Sequence, residues 1–125
     1  KYIKSEFTIN ILYEDKDIIV IDKPSKLLSI ATSKEKYITA YKIVMEYLKR
    51  INKNNHIFIV HRLDRDTSGV LMFAKNEEVK RLYQNNWNHL VNKRTYVGIV
   101  EGVLKNESGT IKTYLREKPL QIINF

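Results

Sequence analysis

Ile9-Asn-Ile-Leu-Tyr-Glu-Asp-Lys-Asp-Ile-Ile-Val-Ile-Asp-Lys-Pro24 is the stretch that sets the fold class. Two apolar, β-branched runs, Ile9 to Glu14 and Asp17 to Asp22, flank a charged turn, a pattern that predicts a strand hairpin. Lys23-Pro24 ends the second strand, because proline cannot donate to a sheet ladder. Downstream, Tyr41, Val44, Met45, Leu48 and Ile51 fall on one face of a helix from about Thr39 to Ile51, with Thr39 as its N-cap. The polar run Asn52-Lys-Asn-Asn55 breaks that helix. Ile57 to Val60 and Gly69 to Ala74 read as short buried strands. Asn76 followed by Glu77 and Glu78 opens a second helix, since carboxylates favour the positive end of the helix dipole. Val79, Leu82, Tyr83, Trp87, Leu90 and Val91 continue it at helical spacing, with Asn86 the polar member. The stripe of Leu82, Tyr83, Trp87 and Leu90 reads as core. Thr95 to Val100 reads as a strand closed by Glu101-Gly102, and Thr110 to Leu115 as a further, less regular one. Strands and helices mix without strict alternation, so the expected class is α+β rather than a doubly wound sheet.

A chain of 125 residues is the size of one domain. Its 43% hydrophobic and 29% charged residues are a globular balance, not a disordered one. No apolar run is long enough for a membrane helix, and no secretory signal opens the chain. The absence of cysteine excludes disulfides, thiolate zinc sites and cysteine nucleophiles, and fits a reducing cytoplasm. Lys and Arg number 22 against 14 Asp and Glu, a formal net charge of +8 with a pI near 9.6. Such a surface attracts polyanions, nucleic acid foremost.

Between the two short strands lies His61-Arg-Leu-Asp-Arg-Asp-Thr-Ser68, a loop dense in polar side chains and therefore a natural place for function. Arg62 and Arg65 stand within two positions of Asp64, and a nearby guanidinium favours the ionised form of a carboxylate. An anionic carboxylate of this kind can serve as nucleophile, general base or metal ligand. His56, His61 and Asp64 could suggest a metal site, but the spacing matches no helical ligand pair and no metal is expected. His61 is expected to shape the loop by hydrogen bonding. Thr67 and Ser68 are expected to fix the turn through bonds from their short side chains to local backbone amides. Lys93 and Arg94, close to Tyr96, suit contacts to phosphate.

The run from His61 to Lys75, with its His-Arg-Leu-Asp loop and Thr-Ser-Gly lead into the next strand, resembles the signature of the RluA-like pseudouridine synthases. Ile11 to Pro24 resembles that family's first motif and Lys93-Arg-Thr-Tyr-Val-Gly-Ile-Val-Glu-Gly102 its third, in the same order and spacing. The resemblance spans nearly the whole chain. It implies a mixed, largely antiparallel sheet flanked by helices, of which residues 1–125 would be the N-terminal portion of a single catalytic domain. It implies isomerisation of uridine to pseudouridine in structured ribosomal or transfer RNA, with no cofactor.

By the same resemblance Asp64 is the catalytic aspartate, attacking the target uridine at the base C6 or the sugar C1′. Arg62 fills the space left by the extruded nucleotide, and Tyr96 packs on the uracil. His61, Leu63, Thr67, Ser68 and Gly69 form the supporting loop, and Arg65, Lys93 and Arg94 are placed as RNA phosphate contacts. Flipping a base out before reacting on it, and stacking it on an aromatic ring, are physically coherent demands. The chain departs from the family after Lys23-Pro24, where a small residue and a glycine are usual and Ser25 and Lys26 stand instead. Lysine tolerates a positive φ poorly, so this turn is expected to be strained or different. The family's later Gly-Arg-x-His-Gln-x-Arg motif is expected beyond Phe125. Two rival readings are a non-catalytic RNA-binding module and a metal-assisted hydrolase using His56, His61 and Asp64.

Overall fold

The computed structural model describes residues 1–114. They hold five strands and two helices in the order β1 (Tyr2–Lys4), β2 (Thr8–Glu14), β3 (Ile18–Lys23), α1 (Ala40–Ile51), β4 (Phe58–Ile59), β5 (Gly69–Ala74) and α2 (Glu77–Leu90). The sheet runs β1-β2-β3-β5-β4. All its strand pairs are antiparallel, and an isolated bridge between Leu28 and Thr39 is parallel. The hairpin expected from Ile9 to Asp22 is β2–β3. Its turn is tied by Asp15, whose Oδ1 accepts from the backbone N–H groups of Asp17 and Ile18, each at 2.8 Å. Those two bonds hold the Asp15 carboxyl below the usual carboxylate range. Strand β1, which the sequence pattern did not suggest, adds to the outer edge of β2.

Period-two alternation carries the core. Ile9 and Ile11 on β2, Ile19 and Ile21 on β3, and Leu71 and Phe73 on β5 are buried on one face. Register joins Ile19 to Phe73 and Ile21 to Leu71 across the central pair. Helix α1 lays Ala40, Ile43, Val44 and Leu48 into the same core, and Tyr41 meets Phe73 edge-on at 6.2 Å. Thr39 caps it as expected, its side chain accepting from the Lys42 N–H at 3.2 Å. The buried stripe includes Ile43 and leaves out Ile51, which is exposed on the last turn.

Helix α2 departs further from expectation. Asn76 does cap it, accepting from the Val79 N–H at 2.9 Å. Among its described residues none is buried, so the Leu82, Tyr83, Trp87, Leu90 stripe is not core. The helix lies along the β4–β5 edge, where Gln84 donates to the Ile59 carbonyl at 3.2 Å and Trp87 meets a loop histidine. The ladder breaks at Asn86 (φ −125°, ψ 21°), whose side-chain amide donates to the Leu82 carbonyl at 3.0 Å. A short amide that competes for backbone groups loosens the turn it sits in.

The chain divides into two units, Lys1–Arg94 and Thr95–Phe125. The elements above belong to the first. In the second, the described residues 95–114 contain no strand, so the strand expected from Thr95 to Val100 is not formed. The run from Thr110 likewise shows none as far as Tyr114, and Leu115 and the apolar tail Ile122 to Phe125 lie outside the described residues. Val97 and Ile99 are fully exposed. A β-branched run has no stable strand state without a neighbour to take its backbone bonds. Among the described residues no helix is long and apolar enough to cross a membrane.

Lys26 is the non-glycine residue with positive φ among those described, at +69°. The left-handed region costs an L-residue roughly 1–2 kcal/mol, part of which glycine returns through its freer unfolded chain. Lys26→Gly should therefore raise unfolding stability by about 0.5–1 kcal/mol, read by urea titration. A loss of stability in that variant would show that the lysine side chain contributes more than its backbone costs.

Candidate active site

The His61–Ser68 loop is held by a turn that precedes it by some forty residues in sequence. Alternation along β3 points Ile19, Ile21 and Lys23 the same way, and Lys23 ends fully buried. Opposite it on β5 stands Gly69, which has no side chain and adopts φ +123°. The Lys23 ammonium donates to the carbonyls of Leu27 at 2.6 Å, Pro24 at 3.0 Å and Arg65 at 3.0 Å. The Ser25 hydroxyl donates to the Asp66 carbonyl at 2.8 Å. Buried Ser29 donates to the Leu63 carbonyl at 2.6 Å, and its Oγ accepts from the Leu63 N–H at 3.1 Å. The Asp64 carbonyl accepts from the Thr67 N–H at 3.2 Å.

Residues 63, 65 and 66 are thus anchored from below, and Leu63 is buried in the core. Asp64 between them is exposed, with its carboxylate in no hydrogen bond or ion pair among the described residues. Arg62 is exposed as well. An anchored backbone with an unengaged carboxylate leaves Asp64 at a fixed place on the loop and open to a ligand. Burial pushes the Lys23 amine below its ordinary value, and the charges of Asp66 and Asp64 oppose that fall. A buried cation therefore lies under the loop that carries the two carboxylates.

His61 fastens the loop at its other end. Its Nε2 accepts from the Met72 N–H of β5 at 3.0 Å, which requires the neutral ring with the proton on Nδ1. The ring tilts against Trp87 at 4.8 Å, and the Arg94 guanidinium lies 6.0 Å from the Trp87 ring. Burial, then the Arg94 charge, hold the His61 pKa below its usual value. The unfolded chain takes up the proton near pH 6.5 while the fold still resists it. Stability should be full above about pH 6.5 and fall as pH drops from there through the lower folded value. Denaturant unfolding across that window should show the slope in the wild type and its loss in His61→Gln. An identical slope in the variant would refute the assignment.

Arg65 bonds its neighbour Asp66, through Nε at 3.1 Å. One expectation about this loop is corrected. Thr67 and Ser68 make no side-chain hydrogen bond among the described residues, because Lys23, Ser25 and Ser29 already hold the loop backbone. Lys93 is exposed at the end of the first unit. Tyr96 is exposed in the second. His56 is exposed and the Nε2 of His61 is already bonded, so they do not converge on Asp64 as ligands. Among the described residues no three His, Cys, Asp or Glu side chains group as a metal site. Sequence reasoning took Lys23 only as a strand end. The signal was present, since a lysine two residues beyond Ile21 falls on the inward face of β3.

Residues 17–124 match the family described as RNA pseudouridylate synthase. The chain is 40% identical over 110 residues to an uncharacterized RNA pseudouridine synthase of Mycoplasma pneumoniae, covering 88% of this chain and 34% of that protein. It is 37% identical over 115 residues to tRNA pseudouridine synthase C of Haemophilus ducreyi, covering 92% and 44%. To ribosomal large subunit pseudouridine synthase D of Borreliella burgdorferi it is 34% identical over 116 residues, covering 89% and 36%. The chain therefore spans less than half the length of each of these relatives. Among solved structures, human RNA pseudouridylate synthase domain containing 4 superposes with a TM-score of 0.52 at 25% identity, over 62% of this chain and 28% of that one.

Proposed function

The chain belongs to the RNA pseudouridylate synthase family, and from that premise we propose that it carries the reactive carboxylate, Asp64, of an enzyme isomerising uridine in structured ribosomal or transfer RNA in the cytoplasm. The observation that carries this reading is the loop itself: Asp64 stands exposed and unengaged while the backbone on both sides of it is bonded down. Other carboxylates such as Asp22 are also exposed and unpaired among the described residues, and what sets Asp64 apart is the loop backbone pinned on both sides of it.

In this reading the Asp64 carboxylate attacks C6 of the uracil or C1′ of the ribose. The N1–C1′ bond breaks, the uracil turns, a C5–C1′ bond forms, and the bond between the Asp64 oxygen and the substrate breaks to return the free carboxylate. The C5 proton leaves and N1 gains one, so atoms and electrons balance without a redox partner or a donated group. Arg62, exposed beside Asp64, occupies the space of the extruded nucleotide, and Tyr96, exposed as well, packs on the uracil. Arg65, Lys93 and Arg94 contribute positive charge toward phosphates. The test is incubation of the protein with ribosomal and transfer RNA transcripts, followed by carbodiimide labelling of pseudouridine. New pseudouridine at a defined site is the expected result. Salt-sensitive binding with no modified base would leave the non-catalytic RNA-binding reading standing instead.

A further inference from the structure

The segment between Ser29 and Thr39 is a second feature that an RNA-free fold does not explain. It leaves the core at Ser29, the residue that grips Leu63, and returns at the Leu28–Thr39 bridge. The Ala40 and Tyr41 N–H groups close it by donating to the Leu28 and Ser29 carbonyls at 2.8 and 3.1 Å. The excursion is built rather than loose. Thr32 donates its N–H to the Glu35 carbonyl at 2.8 Å, and its hydroxyl accepts from the Lys34 and Glu35 N–H groups. The Glu35 carboxylate accepts from the Tyr37 and Ile38 N–H groups at 2.7 and 3.0 Å, so the loop's acid is spent on its own backbone.

What this frame displays is a ring among cations. Tyr37 is 73% exposed. The Lys42 ammonium lies 4.8 Å from its ring centroid, and Lys34 and Lys36 stand exposed on either side of Glu35. Lys42 is in the first turn of α1, which holds no acidic residue. A cation there opposes the helix dipole and is disfavoured locally. What it gains in exchange is the cation–π contact with Tyr37, which holds ring and ammonium together at the surface.

We propose that the 30–38 loop is a second RNA contact, in which an unpaired base stacks on the Tyr37 ring while Lys34, Lys36 and Lys42 meet the flanking phosphates. The inference rests on the reading of this chain as part of an RNA-modifying enzyme. Aromatic faces accept any unpaired base, and neighbouring lysines add sequence-independent, salt-dependent attraction. The loop leaves the core at Ser29, which bonds the backbone of Leu63, the sequence neighbour of Asp64.

The experiment measures binding of fluorescently labelled oligouridylate, and of a blunt RNA duplex of equal length, to Tyr37→Ala, Tyr37→Leu and Tyr37→Phe proteins. Tyr37→Ala should weaken oligouridylate binding about tenfold, with Tyr37→Phe near wild type and Tyr37→Leu as weak as the alanine variant. Duplex binding should not change. Lys34→Gln with Lys36→Gln should lower the slope of log affinity against log salt by about 1.4, from roughly 0.7 per phosphate contact. In turnover, Tyr37→Ala should raise KM by about the same tenfold and leave kcat unchanged. Because the Phe and Leu variants fill the same exposed position, their difference isolates the ring from any effect on folding. If wild-type protein modifies RNA and Tyr37→Ala binds oligouridylate equally well, this inference alone falls. If wild-type protein neither binds nor modifies RNA, the functional reading falls with it.

Discussion

Asp64→Asn should remove pseudouridine formation, lowering turnover by a factor on the order of 10⁴ or more, the scale seen when a nucleophile is deleted. The replacement keeps the shape of the side chain and removes its negative charge. Because the carboxylate is exposed and bonds nothing among the described residues, folding stability should change by no more than about 0.5 kcal/mol. RNA affinity should stay near wild type, since the basic groups are untouched. The combination is diagnostic: an intact fold and intact binding with no product assigns Asp64 to chemistry. Turnover that survives the substitution removes Asp64 from the mechanism.

Lys23→Met is the second large effect, and it acts in the opposite way. Methionine fills much of the volume of the lysine stem but donates nothing, so the carbonyls of Pro24, Leu27 and Arg65 lose their shared donor in a buried site. The Leu27 bond is the buried one, where an unsatisfied acceptor costs about 1–3 kcal/mol, and with the partly buried Pro24 and Arg65 bonds a total loss of about 3 kcal/mol is expected in urea unfolding. The Arg65 bond is one of the anchors beside Asp64. Its loss should lower kcat by about 10²-fold with little change in KM, as expected when a reacting group is displaced by about an ångström. A variant as stable and as active as wild type would show that the ammonium is dispensable to the loop.

Much of the local structure was legible in the residue order alone. The β2–β3 hairpin, α1 with its Thr39 cap, β5 and the Asn76 cap all follow from short-range rules of alternation, helical spacing and capping. The position of a polar loop between two strands followed from the same rules. The run from His61 to Lys75 pointed to the family, and residues 17–124 match it. Sequence reasoning misplaced what depends on distant partners. It asked Thr67 and Ser68 to hold the turn, and buried the Trp87 stripe.

By itself, then, the amino-acid order determined the local elements, the family and the identity of the carboxylate to test, because these rest on neighbours within a few residues. The tertiary structure decided how that carboxylate is presented. Lys23, Ser25 and Ser29 reach loop backbone some forty residues away, and His61 reaches across to β5. Only folding shows which buried donor meets which carbonyl, since a polar group taken from water must find its partner wherever the chain brings one.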